Sequence, residues 1–165
     1  MKNHRATFET IYSDNYGRVL RLCLGYVKGD TELAKDLTQE VFVKVWENLN
    51  SFRNESAIAT WIYRITVNTC LLQLRNKRYL TGTEALEKKT ATEEETPFSN
   101  ENRLAQMYAC INKLNEESKG IILLELEGLP QKEIAAIMGL SHQAVRVRIH
   151  RIKNSLTKCV QHELL

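Results

Sequence analysis

Between Gly29 and Gly82 the chain carries neither a glycine nor a proline. That gap constrains the fold more than any other feature. Turn-rich β architectures need such residues at short intervals, and this chain has only seven glycines and two prolines in 165 residues. Apolar residues recur instead at three- and four-residue spacings, the pattern of helices with one buried face. The spacing predicts helices over Phe8–Val27, Glu32–Leu49 and Thr60–Arg78. A second group follows over Leu104–Leu114, Glu116–Glu127, Gln131–Met138 and from His142 to about Val160. No internal repeat and no convincing strand pair accompanies them.

The two groups are separated by LTGTEALEKKTATEEETPFSNENR, residues 80–103, which is rich in Thr and Glu and carries Pro97. Such a segment has too little apolar surface to offset the entropy of ordering it, so a flexible linker is expected. Charge divides at the same boundaries. Residues 1–79 hold 12 basic and 8 acidic side chains, residues 80–103 hold 3 and 6, and residues 104–165 hold 8 and 6. The expectation is an all-α chain of two small helical domains, 1–79 and 104–165, joined by an acidic tether. At 43% hydrophobic and 26% charged residues the composition is that of a folded, soluble protein. No apolar run approaches the roughly 20 residues that span a bilayer, so no membrane insertion is expected. The N-terminus MKNHRATFETIYSDNY lacks the apolar core of a signal peptide. Cys23, Cys70, Cys110 and Cys159 are far apart in sequence and form no ligand spacing, which reads as reduced thiols of a cytoplasmic protein, mostly filling the core. No cofactor or metal site is expected.

The stretch LPQKEIAAIMGLSHQAVRVRIHRIKNSL, Leu129–Leu156, carries the clearest chemistry. A short amphipathic helix follows Pro130, Gly139 suits a tight turn, and Ser141 suits the cap of the next helix. At about 100° per residue, Val145, Ile149, Ile152 and Leu156 share one stripe and must face a core. Gln143, Val147, His150 and Asn154 lie opposite, with Arg146 and Arg151 on the shoulders and no acidic residue from Ser141 to Gln161. This is a helix-turn-helix, whose second helix enters the major groove of DNA. Arg pairs with guanine, Gln and Asn with adenine, and an exposed Val meets a thymine methyl. Arg148 and Lys153 sit nearer the core edge, where phosphates are the expected contacts. Any one of these arginines alone would read as a solvated basic face; the turn, cap, stripe and acid-free face together point to DNA.

The first domain offers two further surfaces. In AKDLTQEVFVKVWENL, Ala34, Leu37, Val41, Phe42, Val45, Trp46 and Leu49 form a wide apolar face, while Asp36, Gln39, Glu40, Val43 and Glu47 line the other. Asp36 and Glu40 are like charges at i,i+4, a cost of roughly 0.2–0.5 kcal/mol that a basic partner would reverse. By itself the face is merely solvated. Further on, Trp61, Arg64, Asn68, Leu72 and Arg75 fall along one stripe, followed by Lys77 and Arg78 and preceded by a polar loop with Phe52 and Arg53. Aromatic rings beside basic and amide groups suit unpaired bases. Trp61 and Tyr63 also fit a core, so Asn68 and Arg64 are the preferred direct contacts.

At these residues the chain resembles a known family. DLTQEVFVKVWENLNSFRNESAIATWIYRITVNTCLLQLRNKR resembles region 2 of sigma factors, and LEGLPQKEIAAIMGLSHQAVRVRIHRIKNSL resembles region 4.2. Two such regions with a short linker resemble the extracytoplasmic-function group of the sigma-70 class. The resemblance implies core RNA polymerase and promoter DNA as partners, with an anti-sigma factor as inhibitor. It implies that Asp36, Gln39 and Glu40, with Val43 beside them, bind the clamp helices of the β′ subunit, and that the second domain meets the β flap. The Phe52–Ser56 loop and Asn68 would hold a flipped non-template base of the minus-10 element, flanked by Trp61, Arg64, Arg75, Lys77 and Arg78. Arg146, Val147, His150 and Arg151 would face the minus-35 element, with Ser141, Gln143, Arg148 and Lys153 around them. Val147 and Leu72 stand where the family often has polar residues, which bears on promoter sequence. The acidic linker would thread towards the RNA exit channel. No nucleophile–base pair or phosphate loop is present in the sequence, so the expected action is binding rather than catalysis. A helix-turn-helix regulator without sigma activity would need no first domain, and a pure polymerase-binding inhibitor would need no recognition helix.

Overall fold

The structure, a computed structural model, describes residues 2–81 and 100–163, with side chains within 7–76 and 103–162. Among these residues it contains seven α-helices and no strand. They are α1 (Lys2–Tyr26), α2 (Thr31–Asn48), α3 (Ile58–Thr81), α4 (Asn100–Asn112), α5 (Glu116–Leu126), α6 (Gln131–Met138) and α7 (His142–Glu163). A single 3-10 turn, Leu49–Ser51, closes α2. Most of the expected linker lies outside the described residues, although α3 and α4 each extend a short way into it.

Helix ends fall where local chemistry puts them. The Leu33 N–H donates to Asp30 Oδ1 (3.2 Å) and the Ser118 N–H to Asn115 Oδ1 (2.8 Å), so each carboxylate or amide satisfies a backbone donor of the first turn. The Ala144 N–H donates to Ser141 Oγ (3.1 Å), the cap expected for α7. Gly139 ends α6 at φ 69°, in the left-handed region that a side chain rarely enters, and the chain turns there into α7.

Helices α1–α3 pack together around Val19, Leu22, Leu37, Val41, Val45, Ile62 and Val67, and α4–α7 around Ile111, Ile121, Leu124, Ile134, Val145 and Ile149. These are not two isolated cores. Every one of those side chains belongs to a single hydrophobic cluster, because α1 packs on α4 and α5, and α3 packs on α6. The tethered arrangement expected from sequence is therefore closed among the described residues. The seam is tight: a methyl group on Gly120 of α5 would overlap the Tyr26 hydroxyl of α1, and one on Gly25 of α1 would overlap Leu123. Polar contacts frame it. Arg21 Nε and Nη2 donate to the two Glu127 carboxylate oxygens (2.8 and 2.9 Å), and Thr60 Oγ1 donates to Glu133 Oε2 (3.3 Å).

Two expectations need correction. Trp46 does not join the apolar face of α2 in the core; it is 45% exposed, its ring set edge-on to Phe8 at 5.0 Å. The four cysteines are not all separate thiols. Cys110 and Cys159 are joined by a disulfide across 49 residues, because α4 lies against α7, a proximity that no sequence spacing announces. Cys23 and Cys70 are free and buried, as core fillers should be.

The seam yields a stability prediction. Gly to Ala inside a helix ordinarily gains about 1 kcal/mol, whereas overpacking a filled core costs about 1–3 kcal/mol. Tyr26 is 1% exposed and has nowhere to go, so packing wins and Gly120→Ala should lower stability. Tyr26→Phe removes the obstructing hydroxyl, which has no hydrogen-bond partner among the described residues. The double variant should recover most of the loss in urea unfolding. A stabilised Gly120→Ala single variant would show that the helices do not approach this closely.

Candidate nucleic-acid and protein interfaces

On α7 the buried stripe is Val145, Ile149 and Ile152, with Leu156 half-buried, so the opposite side faces solvent as the periodicity requires. Gln143, Arg146, Val147, His150 and Arg151 line one shallow groove on that side, and Val147 is 45% exposed. Asn154 Nδ2 and His150 Nε2 lie 3.4 Å apart. Ser141 is committed to the helix cap. Arg148 and Lys153, expected at phosphates, are turned towards α5 instead: Arg148 pairs with Glu117, and Lys153 Nζ lies 3.1 Å from Glu125 Oε1. The helical wheel located both at the core edge but could not show that the facing helix supplies acids. Exposed pairs of this kind are worth about 0–1 kcal/mol, weak enough for a phosphate to compete. The result is an exposed outer face of cation and amide groups, with two further cations held in reserve beside it.

On α3, Tyr63, Val67 and Cys70 are buried, which leaves Arg64, Asn68, Leu72 and Arg75 exposed along the other side. Trp61 is half-buried and packs on Phe52 (ring centroids 5.2 Å), so the two rings form one platform at the end of the exposed loop 53–57. Arg53 in that loop is exposed. The backbone at Asn54 has φ 57°, a conformation asparagine tolerates. Arg64 Nη2 donates to the Ala136 carbonyl oxygen of α6 (3.2 Å). The first helix of the helix-turn-helix thus occupies one member of the stripe, while Asn68 and Arg75 are exposed. The side chains of Lys77 and Arg78 lie outside the described residues.

On α2, Asp36, Gln39, Glu40 and Val43 are all exposed, on the side away from the core. Lys44 Nζ sits 3.1 Å from Glu40 Oε1 and donates to Thr69 Oγ1 (3.1 Å), which offsets the Asp36–Glu40 repulsion and links the face to α3. Sequence reasoning missed the apolar continuation of this surface. Val43 is 55% exposed and Trp46 45%, and Tyr12 of α1, 40% exposed, reaches the same cluster through Phe42 (4.7 Å). Exposed aromatic side chains beside a charged rim are typical of protein interfaces. The available signal was Phe8 and Tyr12 at i,i+4 on the neighbouring helix.

Residues 11–79 match the family described as Sigma-70 region 2, and residues 104–156 match Sigma-70, region 4. The chain is 30% identical over 170 residues to the RNA polymerase sigma factor YlaC of Bacillus subtilis, covering 97% of this chain and 98% of that one. It is 35% identical over 140 residues to the ECF RNA polymerase sigma-E factor of Escherichia coli K12, covering 76% and 73%. Two solved structures share the fold. One is the sigma factor RpoE in complex with the anti-sigma factor NepR from Bartonella quintana (TM-score 0.79, 20% identity, 94% of this chain and 97% of that chain). The other is CnrH in complex with the cytosolic domain of CnrY (TM-score 0.73, 23% identity, 96% and 90%).

The ion pairs on α7 predict how its cations are shared. Glu117→Gln and Glu125→Gln should each cost no more than about 1 kcal/mol of stability. Each also frees a cation, so duplex DNA binding should tighten and its salt dependence steepen. Fluorescence anisotropy across a salt series checks this, and unchanged affinity and slope would mean that Arg148 and Lys153 take no part.

Proposed function

The chain belongs to the extracytoplasmic-function group of sigma-70-type RNA polymerase sigma factors, and we propose how its residues divide that work. It directs core polymerase to promoters. The observation that carries the assignment is the presence, in order on one chain, of a region 2 with an acidic outer helix and a region 4 whose recognition helix has an acid-free outer face. Asp36, Gln39, Glu40 and Val43 bind the clamp helices of the β′ subunit, and Trp46 and Tyr12 extend that contact with apolar area. Gln143, Arg146, Val147, His150 and Arg151 read the minus-35 duplex, with Arg148 and Lys153 exchanging their glutamates for phosphates. Region 4 also meets the β flap. The units that act are residues 1–79 and 104–165, joined by residues 80–103.

Melting falls to α3. Phe52 and Trp61 offer a stacking platform and Asn68 an amide with both donor and acceptor, a combination suited to a base edge. Capturing an extruded minus-10 base offsets the unpairing cost, on the order of a few kcal/mol. No bond is made or broken by the factor itself. In the closed arrangement Arg64 is engaged by α6, so that end of α3 is freed for DNA only when the two halves separate. Polymerase, by holding the halves at different sites, supplies that separation. One solved neighbour is described in complex with the anti-sigma factor NepR and the other with the cytosolic domain of CnrY; the first supports an inhibitor of the same kind for this chain, acting in the cytoplasm where polymerase works.

Run-off transcription with core polymerase tests the assignment. The native chain should yield a promoter-specific transcript. Asp36→Lys with Glu40→Lys should abolish co-elution with core enzyme and leave the helical circular dichroism intact, because both side chains are exposed. Asn68→Ala should keep core binding yet lose promoter opening on matched duplex, and regain it on a template already mismatched at the minus-10 element. Undiminished opening by Asn68→Ala, read by permanganate, would remove this residue from the site; retained core binding by the reversed pair would move the polymerase interface elsewhere.

A further inference from the structure

Two cysteine pairs meet in this chain, and only one is bonded. Cys23 of α1 and Cys70 of α3 lie 3.7 Å apart, sulfur to sulfur, and neither has any exposed surface. Cys70 donates its S–H to Cys23, and that hydrogen bond together with burial pushes its thiol well above the usual range. A sealed, protonated thiol is inert to exchange. Cys110 of α4 and Cys159 of α7 form the disulfide, with Cα atoms 6.0 Å apart. Here the surroundings differ. Cys110 is buried, but Cys159 is half-exposed near the end of α7, and Lys113 Nζ stands 4.0 Å from its sulfur.

The bond also ties α4 to the C-terminal end of α7, where the helix is least buried. Past Ile152, α7 has no buried residue among those described: Leu156 and Val160 are half-buried, and Thr157, Lys158, Gln161 and His162 are exposed. On α4, Leu104, Ala105 and Ala109 are exposed, and Cys110 and Ile111 are its buried residues among those described. The reading half of α7, by contrast, is anchored through Val145, Ile149 and Ile152, independently of the disulfide.

We propose that Cys110–Cys159 is a reversible thiol–disulfide site, reduced by dithiols and re-formed by peroxide, whose state decides whether α4 is locked to the end of α7. In reduction, a thiolate of the dithiol attacks the accessible Cys159 sulfur, the Cys159–Cys110 bond breaks, and Cys110 leaves with the electron pair and takes a proton. The second thiolate of the reductant then attacks its own sulfur in the mixed disulfide and releases Cys159 beside Lys113, whose charge stabilises the departing thiolate. The protein gains two electrons and two protons, and the reductant departs as its disulfide. In oxidation, the Cys159 thiolate attacks hydrogen peroxide to give a sulfenic acid and water. Cys110 then displaces a second water to close the bond.

The full-length chain, equilibrated across ratios of reduced to oxidised dithiothreitol, tests this by alkylation and mass spectrometry. Cys110 and Cys159 should become labelled together in the native state and close again with peroxide, while Cys23 and Cys70 stay unlabelled throughout. Hydrogen exchange in α4 and the last two turns of α7 should quicken on the order of tenfold on reduction, leaving α5 and α6 unchanged. Cys159→Ser should resemble the reduced chain in every buffer. A disulfide that resists reduction until the protein unfolds, or one that does not re-form with peroxide, would overturn the proposal. So would exchange that is equal in both states. A consequence for transcription rests on the sigma reading: reduced factor and Cys159→Ser should each yield several-fold less transcript than oxidised factor. Equal transcript from oxidised and reduced forms overturns the regulatory role. Absence of transcript from all forms contradicts the sigma reading and leaves the labelling and exchange results to decide the thiol site.

Discussion

Helix α1 buries two faces at once, and the rest of the architecture follows from that. One face, through Val19 and Leu22, closes the core of region 2 with α2 and α3. The other, around Gly25 and Tyr26, receives α5 of region 4 so closely that neither Gly25 nor Gly120 has room for a methyl group. Burial of a tyrosine ring and several aliphatic side chains at such a seam is non-directional, and many arrangements would satisfy it. Direction comes from the polar frame, above all the two-pronged Arg21–Glu127 pair, whose planar geometry admits one orientation. The halves are thus held in register by one apolar seam and one fork of charge.

That register has a cost for function. Closing the seam brings α6 over the first turns of α3, where the Ala136 carbonyl takes a hydrogen bond from Arg64 and Glu133 takes one from Thr60. On the proposed assignment a minus-10 strand would use the same surface. The outer face of α7 and the acidic face of α2 remain exposed meanwhile, so the closed chain offers the surfaces proposed for duplex and polymerase while part of the surface proposed for melting is covered. On the proposed assignment, polymerase and duplex engage first and melting follows, in the order that the seam's geometry favours.

Much of this was legible in the sequence. Helix positions followed from apolar spacing, and the turn into α7 from Gly139 and Ser141, each of which acts within a few residues of itself. The exposed faces of α2, α3 and α7 followed from the same periodicity. What could not be read depended on which helix lies opposite. Arg148 and Lys153 look free on a wheel until α5 brings Glu117 and Glu125 against them. Trp46 lies on the apolar stripe of α2 but beyond the reach of the core, and Cys110 finds Cys159 only because α4 lies along α7. The closure itself was invisible, since a helix with one buried face and a helix with two differ by a few small residues such as Gly25.

The central claim is that the free factor is closed and that polymerase opens it. Spin labels on Asn76 of α3 and Lys158 of α7, both exposed, introduced as unnatural amino acids so that the cysteines stay native, report the separation by pulsed electron resonance. The account predicts one narrow, short distance population in the free chain and a longer one once core polymerase is bound. A broad distribution in the free chain, or a short distance that persists in the complex, would contradict it.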